Sequence, residues 1–155
     1  MKPVKFIHPS SEVHSDNIGH NTSIWQFCVV LKNAVIGENC NINCHCFIEN
    51  DVVLGDSVTI KSGVYLWDGV RIGDNVFIGP NVTFINDKYP KSKEYPEKFM
   101  TTVIMEGASI GAGSIIMGGI TIGRNVLIGA GSFVNKSIPD NSVVFGSPAR
   151  VVRQR

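Results

Sequence analysis

The chain has 155 residues, enough for one domain with its own core. Its formal net charge of +1 gives no broad attraction to nucleic acid or to an acidic membrane surface. No apolar run approaches a transmembrane span and the first residues lack a signal-peptide h-region, so a soluble cytoplasmic protein is the expectation.

Residues 1–17 are irregular. From Ile18 an aliphatic or aromatic residue stands at every sixth position: Ile18, Ile24, Val30, Ile36, Ile42, Ile48, Leu54, Ile60, Leu66, Ile72, Ile78 and Phe84. After a gap the series resumes as Ile104, Ile110, Ile116, Ile122, Ile128 and Val134. A period of six is neither helical nor a simple strand alternation. It predicts a parallel β-helix, a solenoid of stacked coils. Residues 1–17 are expected to start the first coil and cap its open end, because exposed solenoid edges need covering.

A second period of 18 lies over the first. Ile18-Gly19-His20-Asn21 recurs as Ile36-Gly37-Glu38-Asn39, Leu54-Gly55-Asp56-Ser57 and Ile72-Gly73-Asp74-Asn75. One coil is therefore three hexads, a triangular prism, and the eighteen hexads predict about six coils. At roughly 4.8 Å per layer they span roughly 29 Å. The glycine fits a corner that needs unusual backbone angles or close approach. A second inward position follows each repeat residue by four: Thr22, Cys28, Ala34, Cys40, Cys46 and then a run of valines. Three of the four cysteines fall in this set, so Cys40-x3-Cys44-x-Cys46 reads as core packing rather than a metal cluster, and no metal is expected.

Coils are expected over 18–84 and 104–138. Between them, residues 85–103 break the period and hold two prolines, two tyrosines and four lysines. The motif spacing makes the insertion about 14 residues: Ile72 to Ile122 is 50, or two coils of 18 plus 14. A long irregular loop between strictly registered flanks, with its tyrosines expected as anchoring aromatics, points to function. It leaves the third corner of the prism. Counting by 18 stacks Lys32, Asn50, Asp68, Asn86, Gly118 and Lys136 there, beside Glu49, Trp67, Asp51, Asp87 and Gly119. The first corner, with His20, Glu38, Asp56 and Asp74, reads as solvated turns. The tail, residues 139–155, is expected to close the prism and ends in Arg150, Arg153 and Arg155.

The hexads, the extruded loop and the closing Gly146-Ser147-Pro148-Ala149-Arg150 resemble the left-handed β-helix acyltransferases. Left-handedness comes from that resemblance alone and departs from the usual crossover rule. Ile24-Trp25-Gln26-Phe27, Tyr65-Leu66-Trp67-Asp68-Gly69 and Phe84-Ile85-Asn86-Asp87-Lys88-Tyr89-Pro90-Lys91 are similar to the nucleotide-sugar 3-amino N-acetyltransferases. Relatives often carry arginine where Lys91 stands, and lysine holds phosphate less specifically.

The resemblance implies acetyl-CoA as co-substrate and a dTDP-linked 3-amino-3,6-dideoxyhexose as acceptor, destined for O-antigen or S-layer glycan. A UDP-linked 3-amino sugar is the alternative. It also implies a homotrimer with active sites between neighbouring prisms. Its expected catalytic residues are Asn86, which would orient the amine, and Asp68. Glu49, Asn50, Trp67, Asp87, Lys88 and Tyr89 would meet the nucleotide-sugar. Gly111, Ala112, Gly118, Gly119, Ala130, Lys136 and Arg150 would meet CoA, and a backbone N–H of the Gly118-Gly119 or Gly111-Ala112 turn would stabilise the oxyanion of acyl transfer. No conventional base is evident. Asp68 and Glu49 are candidates, the CoA thiolate is another, and His8, His14, His20 and His45 read as turn or capping residues. Trp67 and Trp25 either stack on a pyrimidine or pack between subunits. A sugar O-acetyltransferase typically needs a cleft histidine, and none follows His45. A zinc anhydrase of this fold needs three ligand histidines across an interface. A non-catalytic scaffold would tolerate loss of the loop.

Overall fold

A computed structural model describes residues 4–155. It contains 21 strands among the described residues, most of them two residues long, arranged in sheets of nine, seven and five strands. Each inner coil contributes one strand to each sheet, and at the two ends of the five-stranded sheet Ile18 and Ile138 add only single bridges. In nearly every strand the first residue faces outward and the second is buried, so the sixth-residue series lines the interior. Thr22, Cys28, Ala34, Cys40, Cys46 and the valines four residues on are buried too. Each buried Val, Leu or Ile contributes roughly 1.5–3 kcal/mol, so the stack is held by its side-chain columns as well as its ladders. Burial pushes the Cys40 thiol pKa up, as suits a small apolar filler. Thr22, the polar member, donates to the Gly37 carbonyl at 2.8 Å and accepts the Cys40 N–H at 3.0 Å.

The glycines at the first corner serve close approach. Gly19, Gly37, Gly55 and Gly73 have no positive φ, but a Cβ on any of them would enter the next rung. The left-handed residues come two positions later, at Asn21, Asn39, Ser57 and Asn75, with φ of 55–57°. Asparagine tolerates that conformation, and Asn21 also bonds to Asn39 at 3.2 Å.

The stack runs further than the strict repeat. Phe6–Ile7 pairs with Ser23–Ile24, and Glu12–Val13 pairs with Val29–Val30, so the segment expected to start the first coil supplies two of its rungs. At the other end Leu127 pairs with Val143, a step of 16, because the last third corner is two residues shorter. Ser142–Gly146 then turns back into an antiparallel strand, Ala149–Gln154. Phe145 lies across Gly129, where any Cβ would collide with its ring. Exposed Arg150 and Arg153 on this last strand, with Arg155 just beyond it, guard the edge.

Across the loop the register is kept. Val70 pairs with Thr102, Phe77 with Ser109 and Thr83 with Ile115, each a step of 32, or 18 plus an insertion of 14. The chain rejoins the stack at Thr102, so the projecting segment ends slightly before the expected residue 103. No helix is long and apolar enough to cross a membrane among the described residues.

Candidate active site

The site residues expected from sequence divide between two edges of the prism. Glu49, Asn50, Trp67, Asp68, Asn86, Asp87, Gly118, Gly119 and Lys136 lie along the edge between the seven- and five-stranded sheets, and the loop with Lys88 and Tyr89 springs from it. Gly111, Ala112 and Ala130 lie on the edge between the nine- and seven-stranded sheets. Both edges border the seven-stranded sheet, at opposite sides of it. Arg150 belongs to neither. It stands on the terminal strand opposite Phe145.

On the loop edge the polar column forms a hydrogen-bonded ladder. Asn50 Oδ1 accepts the Asn33 N–H at 3.2 Å, and Asp68 Oδ1 accepts the Asp51 N–H at 2.7 Å. One rung on, the pattern inverts. Gly69 has φ +94°, and its N–H turns to the Asp51 carbonyl at 2.9 Å. Asn86 therefore meets a carbonyl instead of an N–H, and its Nδ2 donates to the Asp68 oxygen at 3.1 Å. An amide with its nitrogen committed to a carbonyl must present Oδ1 on the other side. That leaves a directed acceptor on the partly buried side chain at the loop root.

Beneath it, Glu49 Oε2 accepts the Asp68 N–H at 2.6 Å. Burial raises the Glu49 pKa above the ordinary carboxylate value. The Asp68 N–H hydrogen bond opposes that rise, and the Asp68 charge adds to it. Arg71 brackets the edge from the five-stranded sheet, 2.6 Å from Asp51 Oδ1. Gly118 packs on Ile85 and Asn86, where a Cβ would come within 2.6 Å of the Ile85 oxygen.

Of the backbone donors proposed for an oxyanion, the Gly119 N–H is bonded to Thr102 Oγ1 at 3.2 Å and the Gly111 N–H to the Ile128 oxygen at 2.8 Å. The N–H groups of Gly118 and Ala112 make no hydrogen bond among the described residues.

The loop borders an open cavity of about 400 Å³ lined by Asn86, Asp87, Lys88, Tyr89, Lys91, Glu94, Tyr95, Pro96, Lys98 and Met100. Asp87 Oδ1 caps the Tyr89 N–H at 2.9 Å. The tyrosines expected as anchors are largely exposed, Tyr89 at 86 % and Tyr95 at 80 %. Met100 ties the loop down instead. Its N–H reaches the Asn86 oxygen at 3.4 Å, its carbonyl lies against Gly69 and its sulfur lies over Gly119.

Gly69 and Met100 were not singled out from sequence. A glycine where Asn33, Asp51 and Asp87 stand in other coils is a readable sign of φ > 0. Nothing periodic marks Met100.

The seven-stranded sheet carries an apolar groove of about 360 Å³ lined by Phe27, Val29, His45, Cys46, Phe47, Tyr65 and Trp67. Trp67 contacts Phe47 and Tyr65 with ring centroids 5.6 and 5.9 Å apart. His45 takes a left-handed corner beside Phe27, and His8 accepts the Ser10 N–H at 3.1 Å, so these two act as turn residues.

A coiled prism with an amide-and-carboxylate edge and a loop over it defines a class: the chain belongs to the bacterial transferase hexapeptide (six repeats) family, which matches residues 17–50, 51–86 and 101–136 and skips the loop. Within it, the chain is 56 % identical over 146 residues to dTDP-3-amino-3,6-dideoxy-alpha-D-galactopyranose 3-N-acetyltransferase of Aneurinibacillus thermoaerophilus, covering 94 % of this chain and 76 % of that protein. Among solved structures it is similar to a mutant of AntD, an N-acyltransferase from Bacillus cereus, in complex with dTDP and coenzyme A. The TM-score is 0.80 at 25 % identity, over 89 % of this chain and 83 % of that one. It is also similar to a hexapeptide-repeat acetyltransferase from Vibrio cholerae complexed with acetyl coenzyme A, with a TM-score of 0.63 at 30 % identity, over 76 % and 70 % of the two chains.

Proposed function

We propose that this protein is an acetyl-CoA-dependent N-acetyltransferase that acetylates the 3-amino group of a dTDP-linked 3-amino-3,6-dideoxyhexose. The observation that carries the reading is the orientation of Asn86. Its Nδ2 is fixed on Asp68, so its Oδ1 can accept a hydrogen bond from the neutral sugar amine and aim the nitrogen lone pair. The nitrogen attacks the thioester carbonyl, the C–S bond breaks, and the amine proton leaves with the CoA thiolate as thiol. Holding the two reactants in line supplies a large part of such a barrier reduction. A backbone N–H of Gly118 or Ala112 would steady the oxyanion.

Asn50, Asp87, Lys88 and Tyr89 line the acceptor side in this reading. Gly118, Gly119, Gly111, Ala112 and Ala130 leave room for the pantetheine arm, and Lys136 and Arg150 supply phosphate charges. Because the two small-residue clusters lie on different edges of one prism, a cleft using both needs a neighbouring copy. The apolar groove of the seven-stranded sheet, with Phe27 57 % and Tyr65 49 % exposed, supports a homotrimer.

The test is CoA release from acetyl-CoA with a panel of dTDP- and UDP-linked 3-amino sugars. Turnover with the dTDP-linked 3-amino-3,6-dideoxyhexoses is expected. Absence of turnover with every 3-amino sugar would defeat the assignment.

A further inference from the structure

We infer that Glu49 is a positioning residue for Asn86, acting through the main chain of Asp68; the inference rests on the proposed amine acylation. Asp68 is held at three points. Its N–H donates to Glu49 Oε2 at 2.6 Å, its carboxylate accepts the Asp51 N–H at 2.7 Å, and its carbonyl accepts Asn86 Nδ2 at 3.1 Å. N–H and carbonyl belong to the same residue, so a turn of Asp68 about its own backbone displaces both contacts. The neighbouring carbonyl is already used, because the Gly69 oxygen accepts the Thr102 N–H at 3.0 Å.

Glu49 thus reaches the reacting amine only through a peptide and an amide. Its column position alone does not reveal this. The step of 18 places Glu49 under Trp67, whereas the bond runs diagonally to the next residue. The alternative role, a general base, needs a carboxylate aimed at the amine and a proton taken by Glu49 itself.

The two roles separate by substitution. Glu49→Gln keeps an oxygen for the Asp68 N–H but abolishes a base. Glu49→Ala removes the acceptor, and Glu49→Leu removes it while filling the space. Wild-type turnover of a dTDP-linked 3-amino sugar is measured first. Positioning predicts that Glu49→Ala and Glu49→Leu lower kcat by on the order of 10- to 100-fold with the KM for acetyl-CoA unchanged. It predicts that Glu49→Gln keeps most of kcat and the acid limb of the pH profile. In an Asn86→Ala background, Glu49→Ala should add little, since both act on one contact. A second readout needs no turnover. The side-chain amide NMR signals of Asn86 should shift in Glu49→Ala and stay in place in Glu49→Gln. This separates failure of the positioning role from failure of the acylation reading. Wild-type kcat in both Glu49→Ala and Glu49→Leu, collapse of kcat in Glu49→Gln, or unshifted Asn86 signals in Glu49→Ala would each overturn the inference.

Discussion

Asn86 donates to the Asp68 carbonyl, whereas Asp68, one rung earlier in the same column, accepts the Asp51 N–H. A single reversal of hydrogen-bond polarity turns a structural ladder into an oriented acceptor. Asn86→Ala should therefore lower kcat by about 100-fold, the size of effect expected when a reacting group loses its aim. Asn86→Asp should be no better, because a carboxylate facing the Asp68 oxygen repels it. CoA-release kinetics check both, and full turnover by Asn86→Ala would end the positioning role.

The reversal originates at Gly69. A Cβ there would collide with the Met100 carbonyl, and the backbone has φ +94°. Gly69→Ala should cost at least the roughly 1–3 kcal/mol of a strained backbone position and should also loosen Asn86. Gly113→Ala is the control. Its φ is +66° but nothing lies within 4 Å of the added Cβ. That change should cost only the roughly 1–2 kcal/mol of the left-handed conformation. Urea unfolding of both variants, read beside kcat, separates backbone strain from the clash.

The prism was legible because its rules are local and periodic. A residue every six places must face inward if strands stack in register, which assigned Ile18 through Val134 and moved Cys28, Cys40 and Cys46 into the core. The same count placed Asp68 and Asn86 in one column. It did not show which atom of Asn86 meets Asp68, because that depends on the φ of Gly69, nor the diagonal reach of Glu49. The tyrosines of the loop misled as anchors. Exposed aromatic and buried aromatic look alike in an aperiodic segment, and Met100, which does tie the loop down, carries no pattern.

Replacing residues 87–100 by two glycines should leave the stack folded, because Thr83 and Ile115 are already paired across the insertion. The far-ultraviolet spectrum should persist while CoA release with an amino-sugar acceptor is lost. Retained turnover would show that the loop does not help form the acceptor site.

The aromatic face offers a test of assembly. Tyr65 is 49 % exposed in the single chain, so a charge there costs an isolated prism little. In a trimer packed through that groove the charge would be buried without a partner, at a cost of about 3–5 kcal/mol. Tyr65→Glu should sediment as a monomer. A trimer of unchanged stability would move the interface to another face.

Glu49 makes stability depend on pH in a definite direction. Burial raises its folded-state pKa above the unfolded value, so the folded chain binds more protons between those two values. The Glu49 contribution is therefore most favourable below the unfolded pKa and declines as pH rises through the folded one. Glu49→Gln keeps the acceptor for Asp68 and removes the titration. The stability of Glu49→Gln relative to wild type should accordingly increase as pH rises from about 4 upward, the ordinary glutamate range. Paired urea-unfolding curves across that interval measure it. A difference that stays flat would mean that burial does not penalise the Glu49 charge.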